Sequence, residues 1–458
     1  MKTKPALLLL LMVGGAEAQE KILDLTAPEN YANQPKPGYI VKDNTPVDNA
    51  ITDLGATLGR VLFYDKRLSR NNTVSCSSCH HQERAFGDLP TASIGVAGTT
   101  GRHSMRLVNA RFSNERKFFW DERAASAEDQ ATRPIQDHVE MGFSGTLGDP
   151  GFSDLVVKLS AIEEYRVLFQ GVFGDATVSE ERVGRALAQF VRSLQSFDSK
   201  YDAGRAVRND GQPFPNFTAS ENNGKQIFLA PPNQGGAGCA GCHQPPEFDI
   251  DPNTGNNGVV GSLGGGNDFT NTRSPSLRDM VDRDGNPHGG FMHNASLTTL
   301  LAVVNHYDAI PAVVTGLDNR LRQPGPPGTP PQPQRLNLTA QQKTDLVAFL
   351  KTLTGNAIYT DGKFTTPFNT DGSLATVVLP RESAAMTFPV NGNNVQMVTL
   401  AAKGVPNVGY LFQTSEDMAK WISTPVTAGA DGALAMTVPM ESVSGKKFYR
   451  YAYGVAAD

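Results

Sequence analysis

Cysteine is scarce in this 458-residue chain, and none of it is spare: all four residues sit in two Cys-x-x-Cys-His units, Cys76-Ser77-Ser78-Cys79-His80 and Cys239-Ala240-Gly241-Cys242-His243. No thiol is left over for a disulfide elsewhere, so the cysteines have another job. A basic excess is missing as well. With 41 Lys and Arg against 46 Asp and Glu, the net charge of −5 argues against nucleic acid as a partner, because nothing is available to neutralise phosphates. Long apolar runs are also lacking. The run from Ala6 to Val13 falls well short of the roughly 18 residues that a spanning helix needs. Preceded by Met-Lys-Thr-Lys and followed by Ala16-Glu17-Ala18, it reads as a signal peptide cleaved after Ala18. The mature chain is therefore expected in the periplasm, or otherwise exported, with no membrane span.

What is present reads as globular, with 39% hydrophobic and 19% charged residues, and the length calls for two or three domains. Residues 19–48 read as a flexible N-terminal extension, and residues 49–208 as a first domain dominated by helical patterns. Its clearest helix carries Val183, Leu187, Phe190, Val191 and Leu194 at helical spacing, with Ser179 as N-cap and Glu180 and Glu181 in the first turn. A polar stretch, Asn209 to Phe217, opens a second domain at 209–357. This holds the second cysteine unit, a Gly/Asn-rich loop at 252–268, a Pro-rich excursion from Pro324 to Pro333, and a helix at 340–353 behind a Thr339/Gln342 capping box. From 358 to 458 the pattern changes to short alternating runs: Ala385 to Val390, Val395 to Leu400 and Phe448 to Val455. The expected fold is mainly α, two cytochrome c-like domains in tandem followed by a small C-terminal β-sandwich. Within that last region Tyr410 to Ser415, Trp421 and Lys447 to Arg450 resemble C-terminal β modules of exported bacterial proteins, a likeness that names no ligand.

The cysteine units carry the chemistry. Covalent attachment of haem c needs two thiols spaced to reach the two vinyl groups of one porphyrin, and a His beside the second thiol to ligate the iron. With eight His in the chain, both units would end in His in only about 3 of 10,000 random arrangements. A zinc site made of four thiolates usually places its Cys pairs ~15 to 20 residues apart, whereas here Cys239 lies 163 positions after Cys76. A thioredoxin-like pair explains neither the histidines nor the duplication. Two covalently bound haems c are therefore expected, on Cys76, Cys79 and His80 and on Cys239, Cys242 and His243.

Around these units the chain resembles the bacterial di-haem cytochrome c peroxidase and MauG superfamily, over about residues 50 to 355. The likeness is carried by Leu58 to Asp65 with Arg67-Leu68-Ser69, Ala85-Phe86-Gly87-Asp88, Phe119 to Ala124, Gln130, Pro134-Ile135, Glu140-Met141-Gly142, Arg273 to Arg278 and Phe291-Met292-His293-Asn294. It implies a peroxide-reactive N-terminal haem and an electron-transferring C-terminal one. It also implies that Glu140 moves a proton between the peroxide oxygens, that Gln130 shares the distal pocket, and that Trp120 stands between the haems. By composition alone Glu140 is one of 46 acidic residues, most of which are solvated surface groups.

Two positions depart from the reductively activated peroxidases. Val96 stands where the resemblance would place a His capping the first iron, so the first haem is expected to be open in the oxidised state, with His103 as a nearby substitute. Tyr307 stands at the sixth-ligand position of the second haem, as in the MauG branch, on a predicted stripe with Leu297, Leu300, Leu301 and Val304. A stripe aromatic is more often ordinary core, and His306 and Met292 are rival ligands. His103 and His288 occupy positions where the family binds calcium, which makes a calcium site doubtful. The expected function is a peroxidase reducing hydrogen peroxide with electrons from a small cytochrome c or copper protein. The alternatives are a MauG-like oxidase that modifies a protein or organic substrate through a high-valent two-haem state, and a non-catalytic electron carrier.

Overall fold

Gly59 and Gly224 mark two places where one helix backbone must approach another closely. A Cβ on Gly59 would collide with the Ala186 carbonyl, and one on Gly224 with the Asp345 carbonyl. Each glycine lies four residues before a buried Phe, Phe63 or Phe228, so the same Gly-x-x-x-Phe pattern seats a helix on a later helix in both halves of the chain. The computed structural model describes residues 21–250, 252–311, 315–379, 381–387, 396–440 and 447–454, and the leader read at 1–18 lies outside them.

The helices are α1 (Asp53–Tyr64), α2 (Ala127–Thr132), α3 (Phe152–Ser160), α4 (Glu163–Phe173), α5 (Glu180–Ser193), α6 (Lys200–Arg205), α7 (Ala219–Leu229), α8 (Leu300–Asp308) and α9 (Ala340–Lys351). Ser179 caps α5 by accepting from the Arg182 N–H. Thr339 and Gln342 form the capping box of α9. In the first unit α1 crosses α5, and in the second α7 crosses α9. The two crossings are matched behind each cysteine unit by aromatic triads. Phe63, Phe86 and Phe190 meet at ring distances of 5.2–6.4 Å, and Phe228, Phe248 and Phe349 at 5.2–6.1 Å. Such tilted and edge-on pairs contribute about 0.5–1.5 kcal/mol each beyond the area they bury.

The expectation of a mainly α fold needs correction. Helices are joined by long loop stretches, such as those between α1 and α2 and between α7 and α8, and these loops rather than the helices form most of the cavity walls. The strands are β1 (Ile22–Asp24), β2 (His243–Gln244), β3 (Asp249–Ile250), β4 (Arg322–Gln323), β5 (Gln332–Pro333), β6 (Thr376–Val378), β7 (Arg381–Thr387), β8 (Gln396–Lys403), β9 (Gly409–Ser415), β10 (Ile422–Thr427), β11 (Ala433–Met440) and β12 (Phe448–Tyr453). The C-terminal region forms a five-stranded sheet in the order β1-β6-β12-β9-β10 and a three-stranded sheet in the order β11-β8-β7. The parts of the expected runs at 388–395 and at Val455 lie outside the described residues.

The described part of the expected extension, residues 21–48, is not loose. β1 pairs in parallel with β6, and Leu23, Leu25, Tyr31 and Ile40 are buried. Nor does the β region stand apart, because Val377, Tyr410, Phe412 and Tyr451 belong to the same hydrophobic core as α1, α4 and α5. The connector 357–364 returns to the first unit, where the Lys363 carbonyl accepts from Arg60 (2.7 Å) and the Phe364 carbonyl from Tyr64 (2.7 Å). The second core begins at Tyr201 in α6, earlier than the polar stretch at 209, and it includes Phe214 and Phe217 from within that stretch.

Candidate haem cavities

Each Cys-x-x-Cys-His unit opens on its own cavity, and the two cavities meet. Cys76, Cys79 and His80 line the first, together with Phe63, Met105, Leu187, Gln130, Glu140 and Trp120. Cys239, Cys242 and His243 line the second, together with Phe228, Leu300, Val304 and Tyr307. Trp120, Arg273 and Ser274 line both. The two Cys pairs therefore face different spaces and do not share one zinc. Among the described residues no group of three or more His, Cys, Asp or Glu side chains is placed to hold a metal ion without a cofactor.

The local chemistry suits a covalently held porphyrin. Burial pushes the Cys76 thiol up to about 12 and the Cys79 thiol to about 11. Burial also lowers His80 and keeps its imidazole neutral, the form a metal requires. His80 Nδ1 donates to the Phe86 carbonyl at 2.9 Å, which leaves Nε2 as the free ligand atom. Phe86 supplies that carbonyl from a left-handed backbone conformation, φ 58°. Phe248 is its counterpart at φ 56°, and its carbonyl faces His243, whose pKa burial lowers to about 4. Among the described residues, several buried guanidinium N–H groups have no partner, and those of two residues, Arg106 Nε and Arg273 Nη1, belong to side chains that line the first cavity. Burial pushes Arg106 down to about 10, so it is still charged at neutral pH. A buried, unpaired cationic donor is costly unless an anion meets it, and the propionate carboxylates of a haem are such anions. The residues fit the group.

Glu140 and Gln130 reach the first cavity from different elements. Gln130 lies in α2, which is tied to α5 by the ion pair of Glu128 with buried Arg192 (2.5 Å). Glu140 lies in the turn after Pro134. Asp137 Oδ1 accepts from the backbone N–H groups of Val139 (2.8 Å) and Glu140 (3.0 Å), and the Glu140 carbonyl accepts from the Val96 N–H (3.1 Å). Burial, with the nearby Asp137 charge, pushes the Glu140 carboxyl up to about 7, against the opposing pull of Arg123. A carboxyl poised near neutral pH can both take and return a proton.

Trp120 is held on three sides. Its Nε1 donates to the His103 carbonyl (2.8 Å), and its own carbonyl accepts from the N–H groups of Thr272 (2.9 Å) and Arg273 (3.1 Å). Its indole meets His293 edge-on at 6.4 Å. His103 itself is hydrogen-bonded to the Pro90 carbonyl (3.0 Å) and packed on Gly289. His288 bonds the Tyr359 hydroxyl (3.2 Å).

In the second cavity the stripe on α8 is Leu300, Val303, Val304 and Tyr307. Leu301, expected on that stripe, is 47% exposed, because its neighbours already fill the buried face. Burial raises the Tyr307 phenol well above its ordinary value. His306 donates to the Asn257 carbonyl (2.8 Å), and Met292 Sδ accepts from Asn257 Nδ2 (3.0 Å). Neither His306 nor Met292 lines this cavity. Sequence reading missed Arg106 and Asn257 and left Arg273 without a role. Arg273 was visible inside the Arg273 to Arg278 segment, whereas nothing local distinguishes Arg106 or Asn257.

The chain is similar to several known proteins. The sequence model of the family described as "Di-haem cytochrome c peroxidase" matches residues 54–210. The methylamine utilization protein MauG of Methylophilus methylotrophus is 30% identical over 325 residues, covering 68% of this chain and 86% of that protein. The cytochrome-c peroxidase IdrP1 of Denitromonas iodatirespirans is 26% identical over 367 residues, covering 72% and 89%. Among solved structures, a MauG-like protein associated with microbial copper homeostasis superposes with a TM-score of 0.56 at 28% identity, covering 73% of this chain and 99% of that one.

Proposed function

This chain belongs to the di-haem cytochrome c peroxidase and MauG family and is an oxidoreductase of the di-haem peroxidase type, and from that premise we propose that it reduces hydrogen peroxide at the N-terminal haem with electrons passed through the C-terminal haem. The observation that carries the reading is the sharing of one cavity by His80, Glu140 and Gln130. When bound, the two haems supply the redox chemistry, which consumes two electrons and two protons per peroxide and yields two waters.

The protein's part is positioning and proton movement. Glu140 Oε takes the proton from the near oxygen of hydrogen peroxide and returns it to the departing oxygen, so that water leaves rather than hydroxide. The Gln130 amide, fixed by the α2–α5 ion pair, orients the peroxide. Asp137 and the Val96 N–H hold the Glu140 backbone. Trp120, bordering both cavities, is placed to pass electrons. A small cytochrome c or copper protein is the proposed donor, and the leader-like pattern of the sequence supports a periplasmic site for the reaction. No helix among the described residues is long and apolar enough to cross a membrane.

The pH dependence tests this assignment. Glu140 accepts a proton only as the carboxylate, and burial raises its pKa to about 7. Turnover should therefore rise with pH through about 7 and level off above it. In Asp137→Asn the amide oxygen still accepts from Val139 and Glu140, and burial still raises Glu140, but the nearby charge that adds to that rise is gone. The midpoint of the kcat/KM profile should then move to lower pH, and an unmoved midpoint would show that another group titrates.

The MauG-like reading is favoured by two particular residues, Tyr307 at the second cavity and Val96 where a capping His would stand. A spectrum of the peroxide-treated holoprotein separates the readings. Rapid return to the resting state with reduced cytochrome present supports peroxide reduction, and a long-lived oxidised state of both haems supports oxidation of a protein or organic substrate.

A further inference from the structure

The Gly/Asn-rich loop ahead of Thr272 and Arg273 carries one residue that stands beside all three candidate ligands of the second haem. Asn257 lines the second cavity beside Tyr307. Its Oδ1 accepts from the Val259 N–H (3.0 Å), which assigns the oxygen and leaves both amide protons to donate. One goes to Met292 Sδ at 3.0 Å, and the side chain lines the same cavity wall as the Tyr307 phenol. The Asn257 main-chain carbonyl accepts from His306 Nε2 at 2.8 Å. The position is rigid. Asn256 Nδ2 donates to the Thr315 carbonyl (2.6 Å), the Gly255 N–H to Asp318 Oδ2 (2.8 Å), and Thr254 Oγ1 to the Thr272 carbonyl (2.6 Å).

We infer that Asn257 is the positioning residue that selects the second haem's distal side chain, presenting the Tyr307 oxygen to the cavity while holding the Met292 sulfur and the His306 imidazole out of it. The inference rests on the reading of Tyr307 as a haem ligand and goes beyond it. An oxygen ligand at this site lowers the iron potential and a thioether raises it, so the amide sets the potential of the electron-transfer site as well as its geometry. A loop residue with anchored neighbours suits that role, because second-shell groups of this kind fix the orientation of a metal ligand.

The test uses the di-haem holoprotein, read by near-infrared absorption, electron paramagnetic resonance and redox titration of the second haem. Asn257→Leu keeps the volume and removes both donors. It should give a sulfur-to-iron absorption band and a higher midpoint potential at the second haem, with the first haem's spectrum unchanged as the check on folding. Adding Met292→Leu should abolish the new band. Asn257→Ser, which keeps one donor, should lie between the wild type and Asn257→Leu and serves if the latter does not fold. A second-haem spectrum and potential in Asn257→Leu, or in Asn257→Ser where that variant stands in for it, identical to the wild type overturn the inference. Tyr307→Phe separates the two layers. If it leaves the second haem unchanged, the ligand reading fails and this inference with it. If it changes the haem while the Asn257 variants do not, only the role of Asn257 is lost.

Discussion

Replacing Glu140 by Gln is expected to lower kcat/KM for hydrogen peroxide by roughly 10²–10⁴-fold, the usual contribution of a positioned acid–base group, which corresponds to about 3–5 kcal/mol of barrier. The substitution keeps the shape of the side chain and the backbone hydrogen bonds to Asp137 and from Val96, so haem content and both haem spectra should match the wild type. What disappears is the exchangeable proton. The bend in the pH profile near 7 should vanish as well, because the carboxyl that burial raises to about that value is gone. Steady-state peroxide reduction with a reduced cytochrome as donor measures both effects. Unchanged turnover would remove Glu140 from the mechanism.

The largest effect on stability is expected at Arg278. This side chain is fully buried. It forms a double hydrogen-bonded ion pair with Asp202 (2.8 and 3.0 Å), donates to the Pro246 carbonyl (2.8 Å), and lies over the rings of Phe197, Tyr201 and Phe248 at 5.0–5.7 Å. Burial works against the charge on Asp202, but Arg278 and the Ser199 hydrogen bonds outweigh it and hold the carboxyl below its ordinary value. Arg278→Met would leave that carboxylate buried without its counter-charge, at a cost of about 3–5 kcal/mol. The double variant Arg278→Met/Asp202→Asn should recover much of the loss, since both charges are then gone. Denaturant midpoints followed by haem absorption give both values. The linkage has a definite sign. Because the folded pKa of Asp202 is depressed, its contribution is present above the unfolded carboxylate pKa and is lost as the pH falls through the folded one. The stability gap between the wild type and Arg278→Met should therefore close on acidification.

How much of this could be read from the residues varies with how local the signal is. The attachment of two haems was legible because Cys-x-x-Cys-His is a contiguous unit with a chemical reason for every position. The α5 and α9 caps were legible for the same reason, since Ser179 and Thr339 bond groups only three residues away. The mainly α expectation overreached because a few strongly periodic helices stood out, while the loops that line the cavities have no period. The 19–48 stretch read as flexible because its partners are remote: β1 is completed by Thr376–Val378, and Tyr31 by Lys363 and Phe364. The β region read as a separate module because no local pattern reveals that Tyr410 and Phe412 share a core with the first haem unit.

The sequence by itself determined the cofactor chemistry, the number of haems and the family, since each depends on short contiguous motifs, and through the family resemblance it named Glu140 as the candidate acid–base residue. Only the tertiary structure decided that Glu140 and Gln130 share a cavity with His80, that Trp120 and Arg273 border both cavities, and that Asn257 gathers Tyr307, Met292 and His306. Those relations join residues far apart in the chain, and they exist only once hydrophobic burial has closed the intervening loops and brought the side chains within hydrogen-bonding distance.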